Sequence, residues 1–260
     1  MEYGLAERNL RDMFRTLAMH RVNGQVCELP GLTIASVGTE FQMFNTAFFN
    51  SPVVDRADLE QRVTLASLTF RRRKLPWSLW VCEELIPPEV RPRLFRICER
   101  ARLYPGAEMP AMAAERITSR GWGESELTIE AVEGTSVLQE FCRIGADCFH
   151  VPPNWFGEIY NRAERLQGAM RGWVGYVKGQ AMATAVTVIS EDVIGIYNLA
   201  TAPEFRKRGF GEAMSRHAIA ETLAVTGAKP IVLQSTSQGR RLYERLGFRV
   251  VGRILVFPSR

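Results

Sequence analysis

Apolar residues recur at helical spacing in two stretches of the first half of the chain. Leu10, Met13, Phe14 and Leu17 fall on one face of a helix over Leu5–Met19, and Leu59, Val63, Ala66 and Phe70 do the same over Asp55–Arg73. Pro76-Trp-Ser-Leu-Trp-Val-Cys82 reads as a strand. A Pro-bounded helix at about Glu89–Arg102 and a strand near Met109–Ile117 follow it. The second half opens with a strand at Leu127–Val132 and helices at Thr135–Phe149 and Pro153–Arg165. Strands at Gly172–Val177 and Ala181–Ile189 come next, joined by a tight Lys178-Gly179 turn. A β-branched strand, Val193–Thr201, leads through Pro203 into a helix running to about Val225. After the break at Gly227 and Pro230 come a strand at Ile231–Gln234, a helix at Gly239–Leu246 capped by Gly247, and a last strand at Phe248–Phe257.

The order helix, strand, helix, strand thus occurs in both halves. It predicts an α+β fold, a mixed and mostly antiparallel sheet with helices on its faces. At 260 residues each half can bury a core of its own. The division is expected within Thr118–Glu126, where Gly121-Trp-Gly-Glu-Ser125 marks a turn-rich break, giving domains of 1–122 and 123–260. The alternative for the first half is an unrelated α+β cap domain. The apolar face of Leu5–Met19 docks on the core or on a second subunit, so a monomer and a homodimer are both compatible with it.

Composition narrows the function. The net charge of +5 is carried almost wholly by arginine, and the one dense run is Arg71-Arg72-Arg73-Lys74. No aromatic interleaving accompanies it, so it reads as the solvated last turn of a helix, where cations complement the dipole, and no nucleic-acid partner is expected. No apolar run approaches the ~20 residues needed to cross a bilayer. Glu2, Glu7, Arg8, Arg11 and Asp12 interrupt any signal-like stretch. Cysteines 27, 82, 98, 142 and 148 form no C-x-x-C pair, and no His-rich spacing suggests a metal. A cytoplasmic protein with reduced thiols, no membrane partner and no metal is expected.

The most informative segment is Val193–Gly211. Its strand passes a Pro-marked turn into Arg206-x-x-Gly209-x-Gly211, which opens the next helix. A glycine-containing loop at a helix N-terminus exposes unpaired N–H groups beside the positive end of the dipole, a site for phosphate or diphosphate. Arg206, Lys207 and Arg208 add cations there. The segment ahead of Asp55 in the first half, Phe44–Pro52, has neither glycine nor clustered cations.

This loop, together with Leu242-Tyr243-Glu244-Arg245-Leu246-Gly247-Phe248 at its distance downstream, resembles the GNAT superfamily of acyl-CoA-dependent N-acyltransferases over about residues 127–260. The resemblance implies a GNAT-like fold, with the first half as a degenerate tandem copy. It also implies acetyl-CoA as cofactor, with its diphosphate on the N–H groups of Arg208, Gly209, Phe210 and Gly211 and with Arg206 and Lys207 alongside. The pantetheine arm would lie along Leu199, Ala200 and Thr201, and the N–H of Leu199 or its neighbour would receive the oxyanion. Tyr243 stands where many members carry the tyrosine that protonates the departing thiolate, and Thr236 or Ser237 replaces a cofactor-contacting asparagine.

The usual strand glutamate is missing. Tyr197 and Asn198 are the polar residues available there, and the general base stays unassigned, with Glu40 as one candidate. The family's acceptor wall corresponds to Cys148–Phe156, which makes Phe149, His150, Trp155, Tyr197 and Asn198 candidate substrate contacts. His217 and His20 carry no motif, and His217 reads as packing. The expected activity is acetyl transfer to a primary amine of a small molecule. A protein lysine or N-terminal amine is the alternative acceptor, and a non-catalytic CoA-binding sensor or scaffold is the alternative to turnover.

Overall fold

The computed structural model describes residues 2–119, 126–191, 193–227 and 229–259. It divides into one unit of Met1–Ala111 with Val250–Arg260 and another of Met112–Arg249. The predicted turn-rich break Gly121–Ser125 lies outside the described residues.

In the first unit, helix α1 (Glu2–Met19) buries Leu10, Met13, Phe14 and Leu17 on the face read from the sequence. Strands β1 (Gln25–Leu29), β2 (Leu32–Ser36) and β3 (Asn45–Phe49) follow as an antiparallel meander, with Leu29 opposite Leu32 across Pro30-Gly31 and Ile34 opposite Ala47. Gly31 supplies the positive φ of +75° that this two-residue turn requires. The sequence did not reveal these three strands. β2 and β3 are buried at every position and so lack the alternation that marks a half-exposed strand. Helix α2 (Arg56–Arg73) then crosses to β4 (Ser78–Cys82), which runs parallel to β3. Helix α3 (Arg91–Arg100) and strand β5 (Glu108–Ala114) complete the series. Phe14 meets Phe48 and Trp80 with ring centroids 5.5 and 5.0 Å apart, fastening α1 to the sheet.

The second unit contains β6 (Thr128–Ala131), α4 (Thr135–Phe149), α5 (Pro153–Ile159), β7 (Met170–Val177), β8 (Gln180–Ser190), β9 (Val193–Thr201), α6 (Phe210–Thr226), β10 (Ile231–Gln234) and α7 (Arg240–Leu246). Its strands are ordered β10-β9-β8-β7-β6, antiparallel except for β9 and β10. The predicted helix Pro153–Arg165 is shorter than expected. Tyr160 leaves it at φ −105°, ψ 52° with its ring buried, and only a 3₁₀ turn, Ala163–Leu166, follows. The last strand, β11 (Arg249–Pro258), falls with the first unit, where it pairs antiparallel with β4. Met112 and Ala114, at the end of β5 that belongs to the second unit, pack there with Ile196, Ile219, Ile231 and Leu233.

The echo between halves is therefore fuller than the sequence suggested. β1-β2-β3-α2-β4-α3 in the first unit and β7-β8-β9-α6-β10-α7 in the second are each three antiparallel strands, a crossover helix, a parallel strand and a helix.

Candidate functional site

Gly209 precedes α6 in the left-handed conformation, φ +83° and ψ −5°, and Lys207 is also left-handed at +64°. Glycine enters this region at no steric cost. No side chain caps α6, and the Glu212 and Ala213 N–H groups both return to the Gly209 carbonyl. The N–H groups ahead of them thus remain available for an external acceptor. Arg206, Lys207 and Arg208 are exposed around this turn. The Arg206 Nε donates to the Thr201 carbonyl at 2.9 Å, and the Arg208 guanidinium lies 5.5 Å above the Phe205 ring, so both side chains are held at the loop. Phe210 is buried and anchors the first turn.

Gly211 tests the fit of a diphosphate. A Cβ built there would meet only Leu242 Cδ2 at 3.5 Å and Thr201 Oγ1 at 3.9 Å, both ordinary contacts. Protein packing does not demand glycine at this helical position. A close-lying anion would, because a Cβ would occupy its space. The donor set, the uncapped dipole and the missing Cβ all suit a diphosphate.

β9 supplies the next part. Its pairing with β10 runs from Ile194 opposite Ile231 to Ile196 opposite Leu233. Beyond it, Ala200 and Thr201 keep β8 as partner but not β10, so the strands part where an amide-bearing arm would add as a strand. A bulge sits at the parting. Thr184 pairs with Ala200 and Val186 with Tyr197, so Ala185 alone faces both Asn198 and Leu199. Asn198 is left-handed there, φ +46°.

Tyr243 lies on α7 one residue after Leu242, the neighbour of Gly211. Its ring is buried, 7% exposed, among Met112, Ile196, Leu233 and Leu246, and meets Phe248 edge-on at 5.8 Å. Burial raises the phenol above its ordinary value, keeping it protonated. Thr236, exposed before α7, uses its hydroxyl to accept the Gly239 N–H at 3.2 Å, a cap for the helix that carries Tyr243.

The acceptor-side candidates divide. Phe149 is exposed and Trp155 half-buried at the two ends of the α4–α5 connection. His150 is exposed and left-handed, and its N–H caps α4 on the Ala146 carbonyl. Tyr197 is buried. The Asn198 side-chain amide donates to the Tyr160 hydroxyl, a residue the sequence did not single out. Glu40 is exposed in the first unit, and His217 packs edge-on to Trp173, its charged form disfavoured by burial.

Also unread from sequence was buried Glu212, held by Arg216 at 2.9 Å. Arg216 in turn donates to the Thr118 carbonyl at 2.5 Å, and Thr118 donates to the Arg245 carbonyl at 3.1 Å, which ties α6 to α7. An acid at the third helical position with arginine four residues on was the available signal.

In the first unit the helix in the place of α6 begins differently. Asp55 accepts the Asp58 N–H at 2.8 Å, Asp58 accepts the Val54 N–H at 2.8 Å, and Arg62 grips Asp58 while donating to the carbonyls of Gly31, Ser51 and Pro52. Two N–H groups at this helix start, those of Val54 and Asp58, already serve carboxylates.

Among the described residues no helix is long and apolar enough to cross a membrane, and no group of three or more His, Cys, Asp or Glu residues could hold a metal ion.

Residues 169–250 match the family model described as an acetyltransferase (GNAT) domain. No curated protein matches the chain in sequence. Among solved structures, a GCN5-related N-acetyltransferase from Kribbella flavida is 15% identical and aligns over 98% of this chain and 95% of its own with a TM-score of 0.74. One from Sphaerobacter thermophilus is 13% identical over 88% and 76%, TM-score 0.63. A conserved protein of unknown function from Staphylococcus epidermidis is 11% identical over 92% and 94%, TM-score 0.64. At these identities the likeness is one of fold, and it covers nearly the whole chain.

Proposed function

We propose, from the match of residues 169–250 to the GNAT acetyltransferase family model, that the protein moves an acetyl group from acetyl-CoA directly to a primary amine of a small molecule. The observation that carries this reading is the meeting of three elements at Gly211. The uncapped start of α6, the end of β9 at Thr201 and Leu242 of α7 come within ordinary contact of the space its side chain would fill, and Tyr243 is the next residue.

Bound there, coenzyme A supplies the acetyl thioester. The N–H groups of 208–211, with Arg206, Lys207 and Arg208, hold its diphosphate end, and Leu199–Thr201 offer main-chain partners past the point where β10 departs. The Leu199 N–H donates to the acyl carbonyl oxygen as it gains negative charge, a contribution of about 3 kcal/mol in comparable sites. Tyr243, neutral because buried, donates its proton to the leaving sulfur and regains one from solvent, which takes up the proton the amine loses as its nitrogen bonds the acyl carbon. Thr236 keeps α7, and so Tyr243, in place. Direct transfer is favoured over a cysteine intermediate. Burial pushes the Cys142 thiol up to about 11 and Cys148 also upward, so neither supplies a thiolate near neutral pH.

The aromatic, Pro-stiffened connection with Phe149, His150 and Trp155, together with Tyr197 and Asn198, would form the acceptor's wall. The test is a panel of amines assayed for thiol release from acetyl-CoA. Saturable acetylation of a small primary amine supports the reading. Faster acetylation of peptide amines would replace the acceptor, and CoA binding without release for any amine would leave a CoA-binding protein without turnover.

A further inference from the structure

Tyr160 is 4% exposed, yet its hydroxyl reaches the one strained residue of β9. Its ring is fixed by Phe141, edge-on at 5.2 Å, and by Phe156 at 5.1 Å. Phe156 is itself pressed against Gly145, where a Cβ would stand 2.2 Å from its Cζ. The cluster at the α4–α5 corner therefore has no slack, and its single polar tip is bonded to Asn198. Burial keeps that phenol neutral, so the bond does not change with pH in the neutral range.

Asn198 occupies the position in a bulge that glycine usually takes, the left-handed residue opposite one residue of the partner strand. Asparagine tolerates this region better than other non-glycine residues but does not choose it unaided. Two bonds hold it here. Its side-chain amide donates to Tyr160, and its carbonyl accepts the Thr184 hydroxyl at 2.9 Å. Leu199, the second bulge residue, is the proposed donor to the acyl oxygen.

We propose that Tyr160 is a positioning residue for acyl transfer: through Asn198 it holds the β9 bulge and so the direction of the Leu199 N–H. The inference rests on the transferase reading above. It assigns Tyr160 no contact with cofactor or substrate.

Glycine needs no tether to stay left-handed, which makes a double-mutant cycle decisive. Tyr160→Phe in the native background should lower kcat about tenfold while acetyl-CoA affinity, measured by calorimetry, changes less than twofold. In the Asn198→Gly background the same Tyr160→Phe change should lower kcat less than twofold. Equal losses in both backgrounds would assign Tyr160 to packing and overturn the proposal, as would a native-like kcat for Tyr160→Phe alone. If the native protein turned over no amine, the transferase reading would fall by itself. A crystal structure of Tyr160→Phe would then decide the tether: residue 198 outside the left-handed region supports it, and an unchanged bulge overturns it.

Discussion

Arg62 closes on Asp58 with hydrogen bonds of 2.8 and 2.7 Å at the helix start that, in chain order, matches Gly209 in the second unit. The two units use the same strand, loop and helix with opposite charge. The second leaves N–H groups and cations facing outward. The first gives the Val54 and Asp58 N–H groups to Asp58 and Asp55 and turns its loop carbonyls toward a buried arginine. A diphosphate there would have to displace carboxylates already paired with the dipole. Calorimetry should give about one coenzyme A per chain, and Gly209→Val, which forces a β-branched residue to a φ of +83°, should abolish that binding entirely. A second binding event surviving in Gly209→Val would place a cofactor in the first unit.

Arg62 also predicts a stability effect. It is 5% exposed and satisfies the carbonyls of Gly31, Ser51 and Pro52 as well as Asp58. Arg62→Met keeps most of the volume and removes a donor from all four groups, a loss of about 3 kcal/mol. Desolvation pushes the Asp58 carboxyl up, but hydrogen bonds from Arg62 and the Val54 N–H, with the Arg62 charge, hold it below the ordinary carboxylate value. A depressed folded-state value contributes stability that is present above about pH 4 and lost as pH falls through the folded value. The Tm gap between native protein and Arg62→Met should therefore narrow on acidification from pH 7 to 3. A gap independent of pH would mean the carbonyl contacts alone matter.

The loop ahead of α6 was legible because it is local. A Pro-marked turn, clustered cations and two glycines lie within nine residues, and their conformation follows from their identity. Tyr160 and the bulge were not legible, because they depend on a partner 38 residues away. The hint was Asn198 itself, a residue depleted from strands and tolerant of left-handed backbone, inside a strand that opens on Val193-Ile194. β2 and β3 were hidden for the opposite reason: full burial erased the alternation that announces a strand. The placement of β11 against β4 could not follow from periodicity, which fixes what an element is and not which strand it joins.

Gly211 separates ligand binding from folding. Its Cβ would lie at 3.5 and 3.9 Å from its nearest neighbours, so Gly211→Ala fits the protein. Replacing glycine inside a helix should stabilise the fold by up to about 1 kcal/mol. If the space belongs to a diphosphate, the same change should weaken coenzyme A at least tenfold. A raised Tm together with lost affinity is the expected result. Unchanged affinity would remove the cradle and the reading built on it.

Tyr243→Phe tests the proton donor. The hydroxyl makes no hydrogen bond to a described residue, so its removal should leave Tm nearly unchanged. It should lower kcat about a hundredfold with little effect on acetyl-CoA affinity, the mark of an interaction made only as the thiolate leaves. Burial raises this phenol above its ordinary value near 10, so its proton is retained through the neutral range and no alkaline limb of kcat below about pH 10 should trace to it. The sign for stability is the same. The neutral buried form is fully favourable below the unfolded value, and stability declines as pH rises from there through the folded value. The fall in Tm above pH 10 should therefore be smaller in Tyr243→Phe than in the native protein. A variant that kept native kcat while losing several degrees of Tm at pH 7 would make Tyr243 a packing residue, and the proton for the leaving sulfur would have to come from solvent.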